Sequence, residues 1–286
     1  MTRWFKLVDI RPDSAAVSDL QRLAQVFAQC SDVLVISGAG ISTASGISDY
    51  RDQAGLWKRP RPVQHQAFVE HLHWRQRYWA RSQLGYPAFA QAQPNDAHRA
   101  LVRLEQRGQI LGVITQNVDR LHQRAGQQHV LDLHGRLDRV RCLECRQQLD
   151  RSAVQDWLQQ QNPWVSAARF TPAPDGDADI ELDFSRVKIP HCPACDGVLK
   201  PDVVFFGDTV PKADVEQGYR WVEQAQALLV LGTSLMVYSS FRFVRKAHEL
   251  GIPILAINQG RTRGDDMFVH KADVDCASGL AKLLDF

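Results

Sequence analysis

Four short apolar runs limit what this chain can fold into more tightly than anything else in its sequence. They are Val33–Ile36, Ile110–Ile114, Leu228–Leu231 and Ile254–Ile257, and each stops at glycine or a small polar residue. A strand apolar on both sides must be covered on both sides, so such runs belong to a parallel sheet between helical layers. Helical patterns lie between them. Residues 18–30 place Leu20, Leu23, Ala24 and Phe27 on one face behind a capping Ser18. Residues 95–108 open on a capping Asn95 and stop at Gly108, and residues 241–251 stop at Gly251. The expected fold class is α/β, a doubly wound, Rossmann-like parallel sheet.

In sheets of this kind ligands bind beyond the carboxyl ends of the strands. Those ends carry Ser37, Gln116, Asn117, Asp119, Thr233, Ser234 and Asn258 here, which points to a nucleotide site. The first run leads into Gly38-Ala39-Gly40-Ile41-Ser42. Glycines there let backbone approach a phosphate, and a following helix N-terminus would supply N–H donors. The full G-x-G-x-x-G is absent, so this loop taken alone fits a tight strand-to-helix turn equally well.

Two stretches break the α/β rhythm. Residues 50–94 are rich in Arg, Gln, His and aromatics with helical character, and residues 138–200 hold two C-x-x-C pairs. Within the second, Pro163–Pro190 is rich in Pro, Asp and Gly and reads as a loop. Both stretches are expected to form a smaller second domain, inserted into a nucleotide-binding domain made of residues 1–49, 95–137 and 201–286. The pair Cys142 and Cys145 is separated from the pair Cys192 and Cys195 by 46 intervening residues. Each pair makes a knuckle with two thiolates, and two knuckles give tetrahedral coordination of one zinc ion. Four thiolates leave no place for water, so the ion is expected to be structural, holding a ribbon with too little core to fold alone.

Bulk properties exclude several classes. With 44% hydrophobic and 23% charged residues, the chain reads as an ordinary soluble enzyme. No run approaches the roughly 20 apolar residues a membrane helix needs, and Met1–Ile10 lacks the features of a secretory signal. The cytoplasm is the expected location, with reduced thiols. A net charge of +2, with few aromatics around the cysteines, argues against a specific nucleic-acid partner. Arg75, Arg77 and Arg81 could form a local basic patch, but a solvated helix face is the preferred reading of such a run. The oligomeric state is left open.

The glycine loop continues as Gly38-Ala-Gly-Ile-Ser-Thr-Ala-Ser-Gly-Ile-Ser-Asp-Tyr-Arg51, which resembles the cofactor-loop signature of the sirtuin family, G-A-G-x-S-x-x-S-G-I-P-D-[FY]-R. Thr115-Gln-Asn-Val-Asp-Arg-Leu-His122, with Ala125-Gly126, resembles the next family block, and Leu133-His-Gly135 the histidine block. The cysteine pairs follow. Lys200-Pro-Asp-Val-Val-Phe-Phe-Gly-Asp208 resembles the R-P-x-V-V-x-F-G-E block and Gly232-Thr-Ser-Leu235 the G-T-S-L block. The matches run in family order over nearly the whole chain and look most like the class II branch.

The resemblance implies an NAD-dependent protein lysine deacylase that binds NAD and an acylated-lysine peptide in the cleft between its domains. The family releases nicotinamide and moves the acyl group onto ADP-ribose. His134 would be the base that takes a proton from the ribose diol, and neutral imidazole suits that work. The run Val130–Leu133 suggests a strand that aims it. Asn117 would fix the ribose and Asp119 the nicotinamide amide, although either residue could instead cap a helix. The resemblance places Gly38, Ala39, Gly40, Ser42, Asp49, Tyr50, Arg51, Gln116, Gly232, Thr233, Ser234, Asn258, Gln259 and Gly260 around the cofactor. Cys276 belongs near adenine or, equally, in the core. Val204, Phe205, Phe206 and Gly207 would pair with the peptide backbone or form an ordinary strand.

Tyr78 and Arg81, three apart on one helix face, resemble the acid-selecting pair of the desuccinylase branch. If they act so, acidic or larger acyl groups are preferred; a plain surface helix is the alternative. The sequence departs from the family pattern at Ser48, Tyr50, Asp208 and Tyr238-Ser239. A protein mono-ADP-ribosyltransferase and a non-catalytic NAD or ADP-ribose sensor are the rival readings.

Overall fold

A computed structural model describes residues 18–50, 54, 56, 58 and 62–286. Its strands are β1 (Val33–Ser37), β2 (Ile110–Thr115), β3 (Val130–Asp132), β4 (Gly135–Cys142), β5 (Gln148–Asp150), β6 (Thr171–Ala173), β7 (Asp177–Asp179), β8 (Leu199–Val203), β9 (Ala227–Leu231), β10 (Ile254–Ile257) and β11 (His270–Ala272). Its helices are α1 (Asp19–Ala28), α2 (His65–Glu70), α3 (Leu72–Gln91), α4 (Asp96–Gln106), α5 (Leu121–Ala125), α6 (Arg151–Gln161), α7 (Lys212–Gln224), α8 (Tyr238–Glu249) and α9 (Cys276–Leu284).

The four apolar runs are the four inner strands of one sheet, ordered β11-β10-β9-β1-β2-β3 and parallel throughout. Every residue of β1, β9 and β10 is buried. Leu23, Ala24 and Phe27 of α1 join Leu101 and Leu104 of α4 and Leu280 of α9 on one face. Phe243, Val244 and Ala247 of α8 and Val222 of α7 cover the other. Ser18 and Asn95 cap α1 and α4 through the hydrogen bonds their positions suggested. The helix expected from residue 241 begins three residues earlier, and the edge strand β11 carried no pattern that marked it. No helix among the described residues is long and apolar enough to cross a membrane.

The insertions build a second, smaller sheet. Strands β5-β4-β8 form a small antiparallel sheet, and α6 packs against it. The sheet uses Gly135 and Val203, so the expected boundaries at 137/138 and 200/201 fall inside two strands. Pairing, rather than composition, sets the edge of this sheet. Most of α3 lies over the segment read as a loop, which contains the hairpin β6–β7 and short 3-10 turns. At Gly85 a Cβ would lie 2.3 Å from the Asp177 carbonyl, so glycine is what lets α3 and β7 touch backbone to backbone. Arg151 is buried where α6 meets α3, stacked 4.1 Å from the Tyr86 ring and donating to Ser82 Oγ at 2.9 Å.

Candidate active site

A cleft of about 760 Å³ opens at the carboxyl ends of β1, β2, β9 and β10, between the two sheets. That is ample for a cofactor. Gly38, Ala39 and Gly40 form one wall, Gly232, Thr233 and Ser234 another, and Asn258, Gln259 and Cys276 the far end. The two glycine walls meet closely. A Cβ on Gly40 would fall 2.8 Å from the Gly232 Cα, and the Gly40 N–H donates to the Gly232 carbonyl at 2.8 Å. Cys276 lines the cleft and is buried as well. Burial pushes its thiol up to about 12.

Between the walls the side chains hold one another. Gln116 Nε2 donates to Thr233 Oγ1 at 2.8 Å, and its Oε1 accepts from Ser240 at 2.9 Å. Asn117 Nδ2 donates to the Gly38 carbonyl at 3.0 Å and Ser42 Oγ at 3.1 Å. Ser42 in turn donates to Asp119 at 2.7 Å. The other Asp119 oxygen accepts the Leu121 N–H at the start of α5, although the N-cap position itself belongs to Arg120. Burial raises the Asp119 carboxyl against those two hydrogen bonds. These residues were expected at the cofactor, but Ser42 and Asp119 stand behind the cleft wall. They support Asn117, whose side chain does line it. Gly260 also lies outside the lining, its carbonyl accepting from Lys271.

His134 follows β3, half-buried in the cleft wall. Its Nδ1 lies 3.1 Å from the Gln116 carbonyl and its Nε2 2.7 Å from Ser239 Oγ. Burial lowers the ring's pKa to about 4, against the opposing pull of the Gln116 carbonyl, so it is neutral at pH 7. Asp49 and Tyr50 complete the near side. Lys58 pairs with Asp49, and the Tyr50 hydroxyl donates to Asp175. Asp175, at φ +55°, is pushed up to about 6 by burial. Arg51 lies outside the described residues.

The cleft shares the wall made by Tyr50, Asp175 and Val203–Phe206 with a side cavity of about 100 Å³. Tyr78 and Arg81 line it, so α3 does bring this pair to a pocket. The guanidinium, however, is already taken. Nε and Nη2 of Arg81 each donate to Asp177 at 2.8 Å, and Nη2 to Asp179 at 2.9 Å. Tyr78 packs edge-on against Phe68 and Trp79 and tilted against Phe205. Val204–Gly207 line the main cleft. Their backbone is already engaged: Val204 N–H donates to the His134 carbonyl at 2.8 Å, the Phe205 carbonyl accepts from Asp208 at 2.9 Å, and the Phe206 carbonyl accepts from His65 at 2.9 Å.

The four paired cysteines converge away from the cleft, with all four Sγ atoms within 4.8 Å of one another. Cys142–Cys195 and Cys145–Cys192 are both 3.6 Å apart. Zn–S bonds of about 2.3 Å in a tetrahedron put sulfurs about 3.8 Å apart, so one zinc ion fits this set.

The sequence profile described as the Sir2 family matches residues 38–239. The chain belongs to the Sir2 family. An NAD-dependent protein deacetylase of Bordetella bronchiseptica is 53% identical over 269 residues, 94% of this chain and 98% of that protein. One of Xanthomonas campestris is 55% identical over 252 residues, 88% of this chain and 86% of the relative. Among solved structures, a Sir2–p53 peptide–NAD+ complex superposes with a TM-score of 0.77 at 27% identity, covering 93% of this chain and 97% of that one.

Several residues of this Sir2 cleft carried no motif that marked them. Asp175, Arg242 and Arg261 line it, as do Tyr238 and Ser239, which the sequence had shown as a departure from the family pattern. Asp175 reaches the cleft through a turn of the insertion, and no sequence period announces such a contact.

Proposed function

We propose that this Sir2 protein is an NAD-dependent protein lysine deacylase that releases nicotinamide and forms 2′-O-acyl-ADP-ribose, with His134 as its base. One observation carries the reading: His134 faces the same cleft as the Gly38–Gly40 backbone and Asn117, and its ring is neutral. NAD supplies the electrophilic ribose carbon to which the acyl oxygen becomes bonded. The protein supplies binding and a proton acceptor. The backbone at Gly38–Gly40 and Gly232–Ser234 would receive the phosphates, and Asn258 and Gln259 the adenosine end. Asn117 and Gln116, each locked by hydrogen bonds, would hold the ribose. His134 Nε2 would then take the proton of a ribose hydroxyl.

The acylated lysine of a peptide would run along Val204–Gly207 and turn its acyl group toward the side cavity. Arg81 would read an acidic acyl tip only by giving up Asp177 or Asp179. Small neutral acyl groups such as acetyl are therefore the favoured cargo, and succinyl or glutaryl-type chains meet two internal competitors.

The deciding experiment incubates purified enzyme with NAD and a panel of acylated peptides. Nicotinamide release and the acylated ADP-ribose product are followed by mass spectrometry. Wild type is expected to turn over acetyl-peptide, and His134→Ala to lose about 10²-fold or more. A modified protein in place of acyl-ADP-ribose would instead mean ADP-ribosyl transfer. Wild-type rates in His134→Ala would refute the assignment.

A further inference from the structure

The contact of His134 with Ser239 has a consequence beyond the assignment of a base. A carbonyl oxygen can only accept, so the Gln116 carbonyl, 3.1 Å from Nδ1, requires the proton to sit on Nδ1. Nε2 of the neutral ring then holds the lone pair. The Ser239 hydroxyl, 2.7 Å away, must donate to it. Ser239 is the second residue of α8, a 12-residue helix whose first turn borders the cleft. Its neighbour Ser240 donates to Gln116 Oε1 at 2.9 Å and back to the Val237 carbonyl at 3.1 Å. The same turn thus grips both the ring and the residue that fixes the ring's other nitrogen.

We propose that Ser239 is a positioning residue for His134: its hydroxyl holds the ring by donating to the Nε2 lone pair that Gln116 leaves free, and then serves the charged ring. This rests on the proposed role of His134 as base. An sp² nitrogen has one lone pair, so a ribose hydroxyl reaches Nε2 only when Ser239 lets go. Once Nε2 has gained that proton, the imidazolium N–H needs an acceptor. The Ser239 oxygen provides one by rotating its own hydrogen away, with no change in heavy-atom position. A hydroxyl can serve both protonation states; a methyl can serve neither. Gln116 cannot substitute, because its carbonyl holds Nδ1 in both states.

The fixed charges in the same cleft do not duplicate this role. Lys58 is paired with Asp49 and Asp208 with Lys200, while Asp175 accepts from Tyr50. Arg242 stacks over Tyr238.

The test compares wild type, Ser239→Ala, Ser239→Thr and His134→Gln as folded full-length proteins. Histidine-selective ¹⁵N NMR reads the tautomer, with His134→Gln assigning the resonance. Steady-state acetyl-peptide assays read kcat and KM, and exchange of labelled nicotinamide into NAD reads the step before the base is needed. Ser239→Ala is expected to lower kcat about tenfold, with KM values within about twofold and nicotinamide exchange retained. It should also shift the His134 Nε2 resonance, reporting the lost hydrogen bond, while the Nδ1–H tautomer fixed by Gln116 is kept. Ser239→Thr should restore most of both. An unchanged Nε2 resonance, wild-type kcat in Ser239→Ala, an equal loss of exchange and turnover, or failure of threonine to rescue would each overturn the proposal. If wild type itself removes no acyl group, the deacylase reading fails instead.

Discussion

His134 could act as a base only while its ring is neutral, and burial puts that limit at about 4 rather than at the unperturbed 6.5. The sign follows directly: with the pKa lowered, the active form persists as pH falls through 6.5. The acidic limb of a kcat–pH profile for acetyl-peptide should therefore have its midpoint below 5.5, checked by circular dichroism to exclude unfolding. A midpoint near 6.5 would mean the ring is more hydrated than it appears here. At the same scale, Asp177→Asn with Asp179→Asn unpairs Arg81. The double variant should gain at least several-fold in kcat/KM on succinyl-peptide over acetyl-peptide, and adding Arg81→Ala should erase the gain. His134 and Arg81 were both legible in the sequence. The partners of Arg81 were not, because they lie 96 and 98 residues away with no period linking them.

Among the elements, the ribbon β5-β4-β8 depends most on something outside its own packing. Its core is small: Val140, Cys142, Cys192 and Leu199 with Val154 and Leu158 of α6 and Phe68 and Trp79 from α2 and α3. Two of its four cysteines are exposed, so metal can be withdrawn. Removing zinc with a strong chelator, or replacing Cys145 by Ser, should lower Tm by several degrees. It should also increase proteolysis within residues 143–198 before the NAD body is cut. Equal protection with and without metal would show that packing alone suffices. The cysteine spacing made this ribbon readable, since two knuckles have few other uses. The hairpin β6–β7 was not readable: strands of three residues, rich in Asp and Pro, are held by α3 rather than by their own propensity.

The whole molecule buries several histidines uncharged. His98 and His122 face each other with ring centres 5.0 Å apart, and burial lowers them to about 4 and about 3. Unfolding exposes both to water, where they take protons near 6.5. Below that pH the unfolded chain binds more protons, so stability present above 6.5 is lost as pH falls toward 4. Each pH unit over which a histidine is protonated only in the unfolded state costs about 1.4 kcal/mol. Tm should fall steeply between pH 6.5 and 4, and His98→Asn, which keeps an acceptor for the Asn95 N–H, should flatten that slope. A profile unchanged by the substitution would place the acid sensitivity elsewhere. The architecture at this scale was the most legible part of the chain, because wholly apolar strands leave few other arrangements. The domain seam was least legible, because pairing between β4 and β8 joins residues far apart in sequence.

Two residues, Leu133 and His134, are all that separates β3, an edge strand of the large sheet, from β4, the first strand of the small one. His134 therefore sits on the two-residue joint between the two sheets. A tilt of one sheet against the other would act on this imidazole directly. If a peptide were admitted by such a tilt, entry and the orientation of the ring would be coupled, and a clamp holding the sheets apart would lower turnover without touching one atom of the pocket.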